Sequence, residues 1–120
     1  MGYAYRVTRN AERITRKRII FLVALADDPD VGELSRVLFG QTHRLAVMLG
    51  IARGPREFAL SELAEELGYK NLSSIQDPVR DLEKSHLITR LPKVANKVRF
   101  RRNASLAWRW AKELGESLSA

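Results

Sequence analysis

Cysteine is absent from the 120-residue chain, which excludes disulfides, thiolate nucleophiles and thiolate metal sites. Histidine is nearly absent: only His43 and His86 occur, and no metal motif, phosphate-binding loop or nucleophile elbow surrounds either one. A general base needs a positioned partner. An enzyme is therefore not expected, nor a cofactor, nor a metal. Long apolar runs are also missing. The longest, Ile19 to Ala26, has eight residues, far short of the roughly 20 needed to cross a bilayer, so no membrane partner is expected. With its basic lead "RKR" and the trailing "ALA" it imitates a secretory signal, but it sits at the short limit of such regions; a buried helix or strand is the preferred reading. No internal repeat or low-complexity tract is seen.

What remains is a globular composition, 45% hydrophobic and 29% charged, in one domain's worth of chain. Acid is the scarcer sign: 14 acids face 21 cations, for a net charge of +7, which favours polyanionic partners. The excess is uneven. Residues 1–20 hold six cations and one acid, residues 21–40 one cation and four acids, and residues 61–80 two cations and four acids. The stretch "RLPKVANKVRFRRN", residues 90–103, holds six cations and no acid. Two basic ends flank a more acidic middle.

Helical periodicity and cap residues set the expected elements. Thr8 opens a helix to about Ala26, basic in its first half and apolar all round in its second. Asp30 with Glu33 reads as a capping box for a short helix with Leu34, Val37 and Leu38 inward, ended by Gly40. "QTHRLAVMLGIARGP" places Leu45, Met48, Leu49 and Ala52 on one helical face, and "EFAL" is a short strand. "SELAEELG" opens on Ser61 as N-cap and closes on Gly68. "SSIQDPVRDLEKSHLI" starts with a second capping-box spacing, Ser73 and Gln76, and puts Ile75, Val79, Leu82 and His86 on one face. Pro78 either kinks this helix or delays its start, with Asp77 as N-cap. Residues 90–93 and 98–102 form a hairpin about "VANK", with Val98 and Phe100 on one face and Arg99 and Arg101 on the other. "NASLAWRWAKELGESL" closes the chain as a helix with Leu106, Trp110 and Leu114 in one stripe. The expected class is mainly α with a small β-hairpin (α+β): a winged helix-turn-helix with flanking N- and C-terminal helices. It divides into an extension (1–37), a core (38–103) and a last helix (104–120) of one domain.

Three pieces, "THRLAVML", "SELAEELG" and "VRDLEKSHLI", resemble the first core helix, the support helix and the helix leading into the wing of ArsR/MarR-type bacterial transcriptional regulators, over about residues 38–103. The resemblance implies a cytoplasmic homodimer on a roughly palindromic operator, paired through helices outside the core. The chain departs from the pattern by one extra residue in the turn "YKNL" and by Asp77 and Pro78 where polar or basic readers are usual. Without Cys, and with two isolated histidines, it lacks the clusters of the metal-sensing branch.

The expected function is sequence-specific DNA binding by a dimeric regulator, a repressor that acts by occluding a promoter; double-stranded DNA is the partner. Ser73, Ser74, Gln76, Asp77, Arg80 and Lys84 are the candidate base readers. Arg90, Lys93, Lys97, Arg99, Arg101 and Arg102 are the candidate wing contacts to phosphate. Arg6, Arg9, Arg13 and Arg16 form a weaker N-terminal arm, and Ile20, Phe21, Leu22, Trp108, Trp110 and Leu114 a dimer seam. The rival is a winged-helix protein–protein, partition or assembly module. Asp77 and Pro78 keep it open, because carboxylates near phosphates cost energy.

Overall fold

A computed structural model of the protein describes residues 24–119. The expected helix from Thr8, the arm Arg6, Arg9, Arg13 and Arg16, and the seam residues Ile20, Phe21 and Leu22 lie outside these residues. At its end, Leu25–Asp27 is a single 3₁₀ turn after an extended Ala24, so the expected helix does not run on to Ala26.

Helix α1 (Pro29–Phe39) starts one residue after its cap, Asp28, whose carboxylate accepts from the Asp30 and Val31 amides at 3.0 and 3.4 Å. Proline at the first helical position loses nothing, because that amide has no helical partner. This corrects the Asp30–Glu33 capping box; Glu33 pairs with Arg36 at 2.7 Å instead. Gly40 ends the helix in the left-handed conformation, φ 69°. The inward face is corrected in part: Leu34 packs against the core as expected, but Val37 and Leu38 do not. Val31 and Ser35 are buried, whereas Val37 is 64% and Leu38 44% exposed. Ser35 is a polar residue on the core side: its hydroxyl donates to the Gln41 carbonyl and accepts from the Leu45 amide at 3.0 Å, which ties α1 to the next helix.

Helix α2 (Arg44–Arg53) is the axis of the molecule. Every residue from Leu45 to Ala52 is buried, so it is covered on all sides. Gly50 permits a close approach: a methyl group there would lie 2.8 Å from the Leu67 Cδ2 of the helix alongside. After strand β1 (Glu57–Ala59) the chain passes directly into α3 (Leu60–Leu67). Ser61 is therefore already inside the helix, and extended Ala59 takes the cap position without a side-chain bond. Gly68, φ 89°, and the Tyr69 amide on the Ala64 carbonyl close it.

Helix α4 (Ser73–Lys84) begins after Leu72 with no side-chain cap, so Ser73 and Gln76 do not form the expected box. It runs through Pro78, which lies buried in the helix interior; the delayed start is overturned. Ile75, Val79 and Leu82 are buried as expected. His86 is not: it is exposed at φ 62°, just past the helix end, where its amide reaches Glu83 and that of Leu87 reaches Leu82. That pair of bonds closes a helix around one left-handed residue.

Strands β2 (Ile88–Val94) and β3 (Lys97–Arg102) are joined by Ala95 and Asn96, both with positive φ, the turn that matches strand twist. The antiparallel sheet has the order β1-β3-β2. The last helix, α5 (Leu106–Ser119), is capped by the Ser105 hydroxyl on the Ala107 amide at 3.1 Å. Its core stripe is Trp108, Ala111 and Gly115. The expected stripe of Leu106, Trp110 and Leu114 is corrected: Leu106 is 77% and Trp110 43% exposed, and Leu114 packs at the core's edge. Trp108 is 6% exposed, with its indole N–H on the Asn103 carbonyl at 2.7 Å. It belongs to the core of its own chain rather than to a seam. The result is a mainly helical molecule with a small three-stranded antiparallel sheet, an α+β arrangement.

Candidate nucleic-acid interface

With Ile75, Pro78, Val79 and Leu82 facing in, the helical repeat puts Ser73, Asp77, Arg80 and Lys84 on the outward face of α4. Ser74 and Asp81 fall on one flank, Gln76 and Glu83 on the other. Among the candidate readers, Ser73, Gln76, Asp77, Arg80 and Lys84 are exposed and Ser74 is partly buried.

The three acids of α4 each have an arginine. On one flank, Asp81 binds the guanidinium of Arg44 from the start of α2. Arg44 also lies over the Phe39 ring, 5.9 Å from its centroid. On the other flank, Glu83 and Arg90 of β2 form a two-pronged pair, both contacts 3.0 Å. The pair holds the Glu83 carboxyl below the usual carboxylate range and raises Arg90, with the hydrogen bond the main cause in each. On the outward face Asp77 pairs with Arg80 at 3.3 Å, both exposed. Thus α4 is fastened on both flanks, and its outward carboxylate is offset by a neighbour.

The six cations of the 90–103 strip do not form one surface. Arg90 lies opposite Phe100 in the sheet register, on the core side, with its guanidinium 5.0 Å from that ring. Arg102 lies on the same side and caps α2 from outside, donating to the carbonyls of Ile51 at 2.7 Å and Gly54 at 2.9 Å. A helix C-terminus leaves such carbonyls unmet, and a cation there also suits the dipole. Lys97 reaches Glu62 of α3 at 3.5 Å. Lys93, Arg99 and Arg101 make no ion pair among the described residues. Lys93 is exposed near the hairpin tip; Arg99 and Arg101 are partly buried on the sheet face turned away from Phe100.

Sequence reasoning missed Arg44 and Glu83. Arg44 meets a carboxylate 37 positions away, and Glu83 meets an arginine seven positions on across a helix-to-strand turn. No local spacing signals either. It also missed a half-open cleft of about 270 Å³ between α1 and α2, lined by Asp27, Glu33, Arg36, Thr42, His43 and Tyr69. There His43 Nδ1 and the Tyr69 hydroxyl lie 2.8 Å apart. Burial, followed by the charge of Asp27, pushes the Tyr69 hydroxyl up to about 12.

Among the described residues, no cluster of His, Asp and Glu is arranged to hold a metal, and no helix is long and apolar enough to cross a membrane. No family model matches the chain, and no curated protein matches it significantly.

Proposed function

We propose that the protein is a winged-helix DNA-binding regulator of the ArsR/MarR type, acting in the cytoplasm as a homodimeric repressor. The support helix is α3, the reading helix α4, and the β2–β3 hairpin the wing. One observation carries this: every acid on α4 is paired with an arginine, so the helix that must approach phosphates does so without uncompensated negative charge. Ser73, Gln76, Arg80 and Lys84 then face the major groove, where Gln reads adenine and Arg reads guanine. Lys93 at the wing holds the backbone.

Duplex binding followed by fluorescence anisotropy across a salt series tests this. The affinity should fall steeply with salt, with a slope near −0.9 for each phosphate contacted. Arg80→Ala with Lys84→Ala should weaken binding about tenfold and relax the preference for a selected over a scrambled duplex. A parent affinity that ignores salt would sink the proposal.

The exposed apolar side chains Val37, Leu38, Leu106 and Trp110 support pairing through α1 and α5. They equally suit the rival, a protein–protein module with no DNA. Sedimentation of Trp110→Glu separates pairing from folding: the variant should be a folded monomer, and an intact dimer would count against pairing through this face.

A further inference from the structure

Arg99 and Arg101 stand apart from the other cations of the strip. Phe100 between them is fully buried and stacks on Phe58. Arg90 and Arg102 share its side of the sheet and reach α4 and α2. Strand alternation therefore puts Arg99 and Arg101 on the opposite side, away from both helices. That outer face reads Glu57, Arg101, Thr89 in one row across the sheet and Ala59, Arg99, Leu91 in the next. Glu57 stands directly across from Arg101 and makes no ion pair with it. The Nε of Arg101 is shut off from solvent and has no acceptor.

We propose that this outer sheet face is a second phosphate-binding surface, so that one chain holds two DNA duplexes, one against α4 and one against Arg99 and Arg101. The proposal rests on the DNA-binding reading of α4. Two side chains two residues apart on a strand are separated by about 6.6 Å along it, so they engage two phosphates rather than one. Guanidinium groups grip phosphate oxygens in pairs. Both arginines are partly buried among their neighbours, which limits the freedom they lose on binding. The face and α4 lie on different sides of the sheet, so a single straight duplex laid along α4 does not cover it.

The test is a bridging assay with the full chain. Beads carry a biotinylated duplex, and capture of a second, fluorescent duplex is measured. The parent should carry the second duplex to the beads. Arg99→Glu with Arg101→Glu should reduce capture roughly tenfold, the loss expected for two phosphate contacts. Binding of that variant to one duplex in dilute solution should change by less than about threefold, because α4 is untouched. Circular dichroism checks its fold; if it misfolds, Arg99→Gln with Arg101→Gln is measured instead, and the same drop is expected. Bridging by the charge variant at the parent's level overturns the proposal, even if a dimer does the bridging, and so does a parent that captures nothing. Unchanged single-duplex binding in Arg80→Ala with Lys84→Ala would instead refute the role of α4, which keeps the two failures distinct.

Discussion

Arg102 and Tyr69 illustrate how much a single side chain does here that its type does not announce. Arg102 looks like one more cation in a basic strip, yet its guanidinium closes the end of α2. Hydrogen bonds from a charged donor are worth about 1.5–3 kcal/mol. Arg102→Ala should lower stability by about 2 kcal/mol in urea titration while leaving duplex affinity near the parent's. Tyr69 is neutral in the fold, with its hydroxyl raised from 10.0 to about 12. A group raised by folding contributes stability below its unfolded value and loses that contribution as pH climbs through the folded one. The protein should therefore weaken between pH 10 and about 12, and Tyr69→Phe should flatten that decline. Glu83 has the opposite sign: its carboxyl is depressed, so its contribution holds above the unfolded value and fades as pH falls below about 4.5. Denaturation of Glu83→Gln against the parent, at neutral and acid pH, checks this.

At the scale of the element, α4 is fixed against rolling about its axis, with Arg44–Asp81 on one flank and Glu83–Arg90 on the other. Exchanging the partners, Arg44→Asp with Asp81→Arg, should restore the duplex discrimination that either single change loses. Competition between a selected and a scrambled duplex measures it. This scale also shows what was legible in the sequence. The elements themselves were: apolar spacing placed α2, α3, α4 and the hairpin, and Gly40 and Gly68 ended their helices as expected. Starts were less so. Asp28, Ala59 and Leu72 hold the cap positions where Asp30, Ser61 and Ser73 were expected, because Pro29 and the strand running into α3 moved the boundaries. Faces failed where a polar residue turned inward. Ser35 occupies the core side of α1, and Trp108 hides its indole N–H on a carbonyl, which frees it to be core.

For the whole molecule, counting charges predicted a polyanion partner but not how many cations remain available to hold one. The strip has six, yet Arg90 is held by Glu83, Arg102 by the end of α2 and Lys97 by Glu62. The partners of Arg102 and Lys97 lie far off in sequence and that of Arg90 across a helix-to-strand turn, so alternation along one strand could separate Arg99 from Phe100 but could not reveal the fasteners. The salt slope should accordingly be much shallower than one drawn from a net charge of +7.

The strand order β1-β3-β2 also bears on how the chain reaches this state. The central strand must pair with one neighbour across a two-residue turn and with another more than 40 positions upstream. Closing the short loop costs far less chain entropy than closing the long one. The hairpin should form first, with β1 docking late. Substitutions at the Leu91–Arg99 contact should slow folding, and those at Phe58 should mainly speed unfolding.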